Sequence, residues 1–121
     1  MTITLPLPDK RLSPNHTVGS MGQRMAKSTA TRKARHAAYL VTYDMIRQLR
    51  LTGALKFTSY TLAFFHKVNR KRDDDNLAAS CKAYRDGIAD ALGMDDHGLV
   101  MAATPTTAID KLRPRVEITL I

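Results

Sequence analysis

The stretch from Asp75 to Leu92 constrains this chain more than any other. Leu77, Cys81, Tyr84, Ile88, Ala91 and Leu92 recur at helical spacing and share one face, while Ala79, Lys82 and Asp86 fall on the other. Gly93 supplies a C-terminal stop. A helix with one apolar stripe needs an apolar surface to cover it, so the rest of the chain must provide a sheet or another helix.

The flanking segments supply both. Ile3 to Leu7 reads as a short strand stopped by Pro6 and Pro8. Residues 8 to 27 lack hydrophobic periodicity and read as a long basic loop. Ser28 or Thr29 can cap a helix running to about Arg50, with Ala38, Val41, Met45, Ile46 and Leu49 at helical spacing and Gly53 ending the region. Lys56 to Lys67, rich in Phe, Thr, Tyr and Leu, reads as a strand. Val68 to Asp74 makes a charged turn, and Asp95 to Gly98 another. Leu99 to Ala103 is a strand, 104 to 114 a loop, and Arg115 to Leu120 alternates like a half-buried strand. The order is β-α-β-α-β-β. It predicts an α+β fold with a mixed β-sheet and two main helices packed on it. At 121 residues the chain fits a single domain over 1–121.

Charge narrows the partners. The formal net charge is +8 with a pI near 10, which favours polyanions, nucleic acid before an anionic membrane surface. Seven Lys or Arg and no acid lie between Lys10 and Arg35: Lys10, Arg11, Arg24, Lys27, Arg32, Lys33 and Arg35. Seven of the eleven acidic residues lie between Asp73 and Asp96. A cationic chain with one acidic focus holds DNA by its basic parts, and the focus repels phosphate unless a cation sits there. No stretch of 18 apolar residues exists, so no membrane span is expected. The N-terminal charges follow the apolar part, the wrong order for a secretory signal. The single Cys81 excludes an internal disulfide, and a cytoplasmic setting is expected. Neither GxxxxGK[ST] nor GxGxxG is present, so no organic cofactor is expected.

The focus itself is Arg70-Lys71-Arg72-Asp73-Asp74-Asp75-Asn76, followed by Asp95-Asp96. Mg²⁺ prefers oxygen ligands, often one or two carboxylates with water and phosphate. Asp73 and Asp75, two apart on an extended entry to the helix, point the same way. Asp96 joins them only if the helix and its turn come back beside their own start. A single aspartate at a helix N-terminus is ordinarily a cap that complements the dipole. Three together, flanked by cations, favour a functional site. Lys82 lies two turns after Asp75 and is either a phosphate-facing lysine or an ordinary exposed one.

These residues resemble the RusA family of phage and prophage Holliday junction resolvases. RKRDDDNL matches a basic run leading into an Asp-any-Asp-Asn-Leu motif. The lysine-bearing helix follows, and then ALGMDDHGLV with its Asp-Asp pair. ITLPLP resembles the family's opening strand and PRVEITLI its last. The resemblance implies a Mg²⁺-dependent endodeoxyribonuclease of DNA recombination and repair, with Mn²⁺ as a substitute. It implies a homodimer that nicks two opposed strands of a four-way junction. Asp73, Asp75 and Asp96, with Asp95 as the alternative third ligand, become the metal carboxylates. Lys82 becomes the catalytic lysine, although a direct count puts Ala79 at its place unless one turn is inserted. Asn15, Asn76, Arg70, Lys71 and Arg72 join the cations of Lys10 to Arg35 as DNA contacts. Two readings stand beside this one: a non-catalytic DNA-binding module, and a nuclease for other branched DNA such as flaps.

Overall fold

The computed structural model describes residues 1–14, 16, 18–49, 56–69 and 74–121, without the side chains of Asp74, Asp75 and Asp96. The strands are β1 (Thr2–Leu5), β2 (Ser59–His66), β3 (Val100–Met101), β4 (Thr106–Ile109) and β5 (Arg115–Leu120); the helices are α1 (Met21–Gln48), α2 (Asp74–Ser80) and α3 (Lys82–Leu92). One sheet holds all five strands in the order β1-β5-β2-β3, with β4 also on β2. β5 runs antiparallel to both β1 and β2, whereas β3 and β4 run parallel to β2. The expected mixed α+β sheet with helices packed on it is what forms.

The helices lie where chirality requires. β1, β2 and β3 all point one way, so β1-α1-β2 and β2-α2-α3-β3 are successive parallel crossovers moving in one direction across the sheet. Right-handed crossovers then put α1 and α3 on the same face. Alternation along the strands agrees: Tyr60, Leu62, Phe64, Val116, Ile118, Leu120, Ile3 and Leu5 are buried with Cys81, Tyr84, Ile88 and Ala38 in one core. The other face carries Thr2, Thr4, Thr61, Thr119 and Glu117. There Arg115 lies 3.9 Å over the Phe65 ring and bonds Asp110 and Glu117. The Arg115 hydrogen bond holds the Asp110 carboxyl below its ordinary range.

Several boundaries differ from the sequence expectation. α1 starts at Met21, not after Ser28 or Thr29. Ser20 accepts from the Gln23 amide at 3.1 Å while the Gln23 side chain accepts from the Ser20 amide, a reciprocal capping box. The buried stripe of α1 is also smaller than expected. It consists of Ala30, Ala38 and Thr42, with Ala34 and Met45 packed beside it, whereas Val41 and Leu49 are exposed. Small residues let α1 approach α3 closely. At Gly87 an added Cβ would overlap the Arg35 carbonyl oxygen and lie 3.0 Å from the Ala38 Cβ. Arg35 fastens the same crossing through two bonds to Asp90, 2.6 and 2.9 Å.

The helix expected from Asp75 breaks at Cys81. The Cys81 amide bonds the Ala78 carbonyl, a tighter turn than α-helix, and α3 restarts at Lys82. Gly93 does end it, in the left-handed conformation at φ 67°. The expected 104–114 loop contains β4, an exposed edge strand without a buried face to mark it. Gly53, the expected end of the α1 region, lies outside the described residues.

Candidate functional site

α2 opens the acidic segment, and its surroundings are cationic. A 3-10 turn at Lys10–Leu12 follows β1, held by Asp9, whose Oδ1 accepts from the Arg11 amide at 2.8 Å. This turn packs against both α1 and α2. Below it, Leu12, Lys27 and Thr31 face Ala79, Ser80, Lys82, Ala83 and Asp86 across a cleft of about 150 Å³. Lys10, Arg11 and Lys27 are therefore gathered near the helix that carries Asp75 and Asn76. Arg24, Arg32 and Lys33 continue the basic surface along exposed positions of α1. Arg35 differs, because its guanidinium is engaged by Asp90.

Lys82 begins α3. Its ammonium sits 3.4 Å from Asp86 Oδ2, and its side chain is 68% exposed. It leans one turn toward the C-terminus. The break at Cys81 also removes the regular 100° count that set Lys82 beneath Asp75. Asp86, expected on the solvent face, is buried between α1 and the start of α3, with Arg85 Nη2 3.3 Å from its other oxygen. Its helix is covered on two sides, by the sheet and by α1, so a position opposite the apolar stripe still lies inside. The neighbouring Gly87 is the available signal, since it marks a second packing face. Cys81, on the core side, is no nucleophile: burial pushes its thiol up to about 12. Tyr84 is likewise pushed up to about 12 by burial, then by Cys81 and Asp9, and its hydroxyl donates to the Pro6 carbonyl at 2.9 Å.

The second half of the acidic pattern lies elsewhere. Asp96 begins a 3-10 turn, Asp96–Gly98, after α3. Asp95 Oδ1 accepts from the His97 amide at 2.9 Å and so caps this turn. Two register points fix its place. Tyr84 reaches Pro6, just past β1, at the end of the sheet where β2 finishes, because Leu5 and Phe64 both pair with Val116. Val100, four residues after Asp96, pairs with Ser59, the first residue of β2. The eight residues of β2 span about 26 Å, so the opening of α2 and the Asp96 turn sit at opposite ends of the sheet. The return of the helix beside its own start is not formed within one chain, because a parallel crossover must traverse the strand. Among the described residues no group of three His, Cys, Asp or Glu converges on a metal-sized site. Asn15, Arg70, Lys71, Arg72 and Asp73, and the side chains of Asp75 and Asp96, lie outside the described residues.

No protein-family model matches this chain. It is similar to an uncharacterized protein of Xylella fastidiosa (strain Temecula1), with 38% identity over 103 residues. The match covers 82% of this chain and 62% of that protein, so the chain spans less than two thirds of its relative's length. Among the described residues no helix is long and apolar enough to cross a membrane.

Proposed function

We propose that this chain is a Mg²⁺-dependent endodeoxyribonuclease that cuts branched DNA, with the four-way junction as substrate. One observation carries the reading: α2, the short helix whose first turn carries Asp74 and Asp75, packs against the Lys10–Leu12 turn, which also packs against the basic helix α1. In a chain of net charge +8, such a pairing brings a DNA phosphate to carboxylates that repel it unless a divalent cation intervenes. The resemblance of RKRDDDNL and MDDHG to the RusA pattern supports the same conclusion.

The donor set suits the ion, since carboxylate oxygens are the ligands Mg²⁺ prefers. Asp73 and Asp75 would hold it, and Mn²⁺ would substitute. Bound there, such an ion would supply charge stabilisation at the scissile phosphate and would lower the pKa of an attacking water. The chain's own residues do the rest. Lys10, Arg11, Arg24, Lys27, Arg32 and Lys33 bind phosphates of the DNA arms and read shape more than sequence. Lys82, exposed although its ammonium lies near Asp86, would swing back toward α2 to meet a phosphate beside the carboxylates. Asp95 Oδ1 caps its turn, which favours Asp96 as the third carboxylate, with Asp95 the alternative.

The 26 Å strand between the two acidic elements gives the dimer its reason. Asp96 would reach Asp75 from a second copy, placed antiparallel by a two-fold axis that repeats the site twice. Two such sites also provide the paired symmetric nicks that resolve a junction. The same separation favours the rival reading, a DNA-binding module without catalysis, if no second copy brings the halves together. The test is a cleavage assay with Mg²⁺ on four-way junction, flap and linear duplex of matched sequence. Cleavage of the junction in symmetric pairs, abolished by EDTA, is expected. Tight binding with no cleavage of any substrate would leave only the module.

A further inference from the structure

The face of α1 turned away from α3 carries a feature that the nuclease reading does not use. His36, Tyr39 and Tyr43 stack along it in series, with centroids 6.4 and 5.9 Å apart and interplanar angles of 13° and 14°. Tyr43 is 47% exposed, and Leu40, one turn before it, is 50% exposed. Arg32 and Arg47 lie within about 40° of Tyr43 around the helix axis, one at each end of the aromatic series. Among the described residues neither arginine has an acidic partner. The lone acid of α1, Asp44, sits about 100° away from Tyr43 and accepts from Gln48. The buried stripe at Ala38 is about 140° from Tyr43 and about 160° from His36, which both face solvent, while Tyr39, about 100° from Ala38, is half-buried between them.

We propose that this stripe is a base-stacking platform for unpaired nucleotides of the DNA substrate. Three nearly parallel rings present π-faces that bases of any sequence can stack on, and the terminal arginines meet the phosphates on either side. From Arg32 to Arg47 the stripe runs about 22 Å, long enough for about four nucleotides, the lower end of single-strand site sizes. Charge complementarity selects this occupant over a second protein, because α1 carries six Lys or Arg against one Asp. A branched DNA offers such nucleotides where its arms open. The proposal rests on the reading of the chain as a DNA-binding protein, and it does not require cleavage.

The chain itself supplies a probe. It has no Trp and four Tyr, of which Tyr60 and Tyr84 are 8% and 5% exposed. Tyrosine emission from accessible rings therefore comes from Tyr39 and Tyr43. In EDTA, oligo(dT) of twelve nucleotides is titrated against the full chain, beside an abasic twelve-mer of equal charge. The expected result is quenching by oligo(dT) alone, with affinity for oligo(dT) about tenfold above that for the abasic strand. Labelled-oligonucleotide anisotropy then compares Tyr39→Leu/Tyr43→Leu, which should lose that tenfold, with Tyr39→Phe/Tyr43→Phe, which should keep it. Equal affinity for the abasic strand, or unchanged binding by the Leu pair, overturns the platform. So does a dimer seen in sedimentation that the Leu pair converts to monomer, since the stripe is then a contact between copies. Absence of cleavage with Mg²⁺ overturns the nuclease reading and leaves this one standing.

Discussion

Gly87→Ala tests how the two long helices meet. The added methyl would run into the backbone carbonyl of Arg35 and stand 3.0 Å from both the Arg35 carbonyl carbon and the Ala38 Cβ. Carbon atoms in contact prefer about 3.5–4.0 Å, so α1 and α3 must part by roughly 1 Å. The obstacle is main chain, which cannot rotate away as a side chain would. Parting also stretches the two Arg35–Asp90 bonds and loosens Ala38, which is fully buried. Overpacking of this kind costs about 1–3 kcal/mol, and a backbone clash belongs at the upper end. Against that, alanine gains about 0.8–1.0 kcal/mol in helix propensity over glycine. The net expectation is about 2 kcal/mol of destabilisation, or a fall in Tm of roughly 6–10 °C for a chain of this size. Thermal unfolding followed by circular dichroism at 222 nm measures it. Gly22→Ala is the internal control. A Cβ there meets only Ser20 Oγ at 3.9 Å, so the propensity gain should appear unopposed as a rise in Tm. A Gly87→Ala protein that is as stable as wild type, or more so, would refute the close crossing.

Three further outcomes follow from the surface and the core. With Arg35 engaged by Asp90 and Arg11 by Asp9, five of the seven cations between Lys10 and Arg35 remain for phosphates. Junction affinity measured by anisotropy should fall about 500-fold from 50 to 200 mM salt, and a flat response would remove the electrostatic basis. Lys82→Met should slow single-turnover cleavage of bound junction strongly while weakening binding modestly; a wild-type rate would make Lys82 an ordinary surface lysine. Cys81 and Tyr84 are raised above their ordinary 9 and 10 to about 12, so the fold favours their neutral forms. Their contribution to stability is full below about pH 9 and is lost as pH rises toward 12. Urea midpoints should therefore drop across pH 9–12, and a midpoint constant over that range would contradict the burial of both groups.

The sheet was the most legible part of the sequence, because alternation at Tyr60, Leu62 and Phe64 and at Val116, Ile118 and Leu120 directly encodes a half-covered strand. Gly93 marked its helix end for an equally local reason. The first helix was harder. Its opening turns expose Met21 and Met25, and its buried positions are mostly alanines, so apolar periodicity pointed to Val41 and Leu49 instead. Asp86 escaped because a helix covered on two sides has no fully solvent-facing stripe to betray a buried acid. β4 escaped because all four of its residues are exposed. At the candidate site, the run of aspartates was plain in the sequence, and so was the basic segment that packs near it. What spacing could not convey was that Asp75 and Asp96 flank a parallel crossover, which carries the chain from one end of β2 to the other.

The most direct test of the whole account is complementation between two inactive variants. Asp75→Asn and Asp96→Asn each keep size while removing a carboxylate, and each alone should bind the junction but fail to cut it. If every site joins Asp75 of one chain to Asp96 of the other, co-refolded mixtures contain about half heterodimers, each with one site free of both substitutions. Nicking of the junction should then return to about a quarter of the wild-type site activity, as single rather than paired cuts. No recovery in the mixture, or full cleavage by either variant alone, would contradict a metal site shared between two copies.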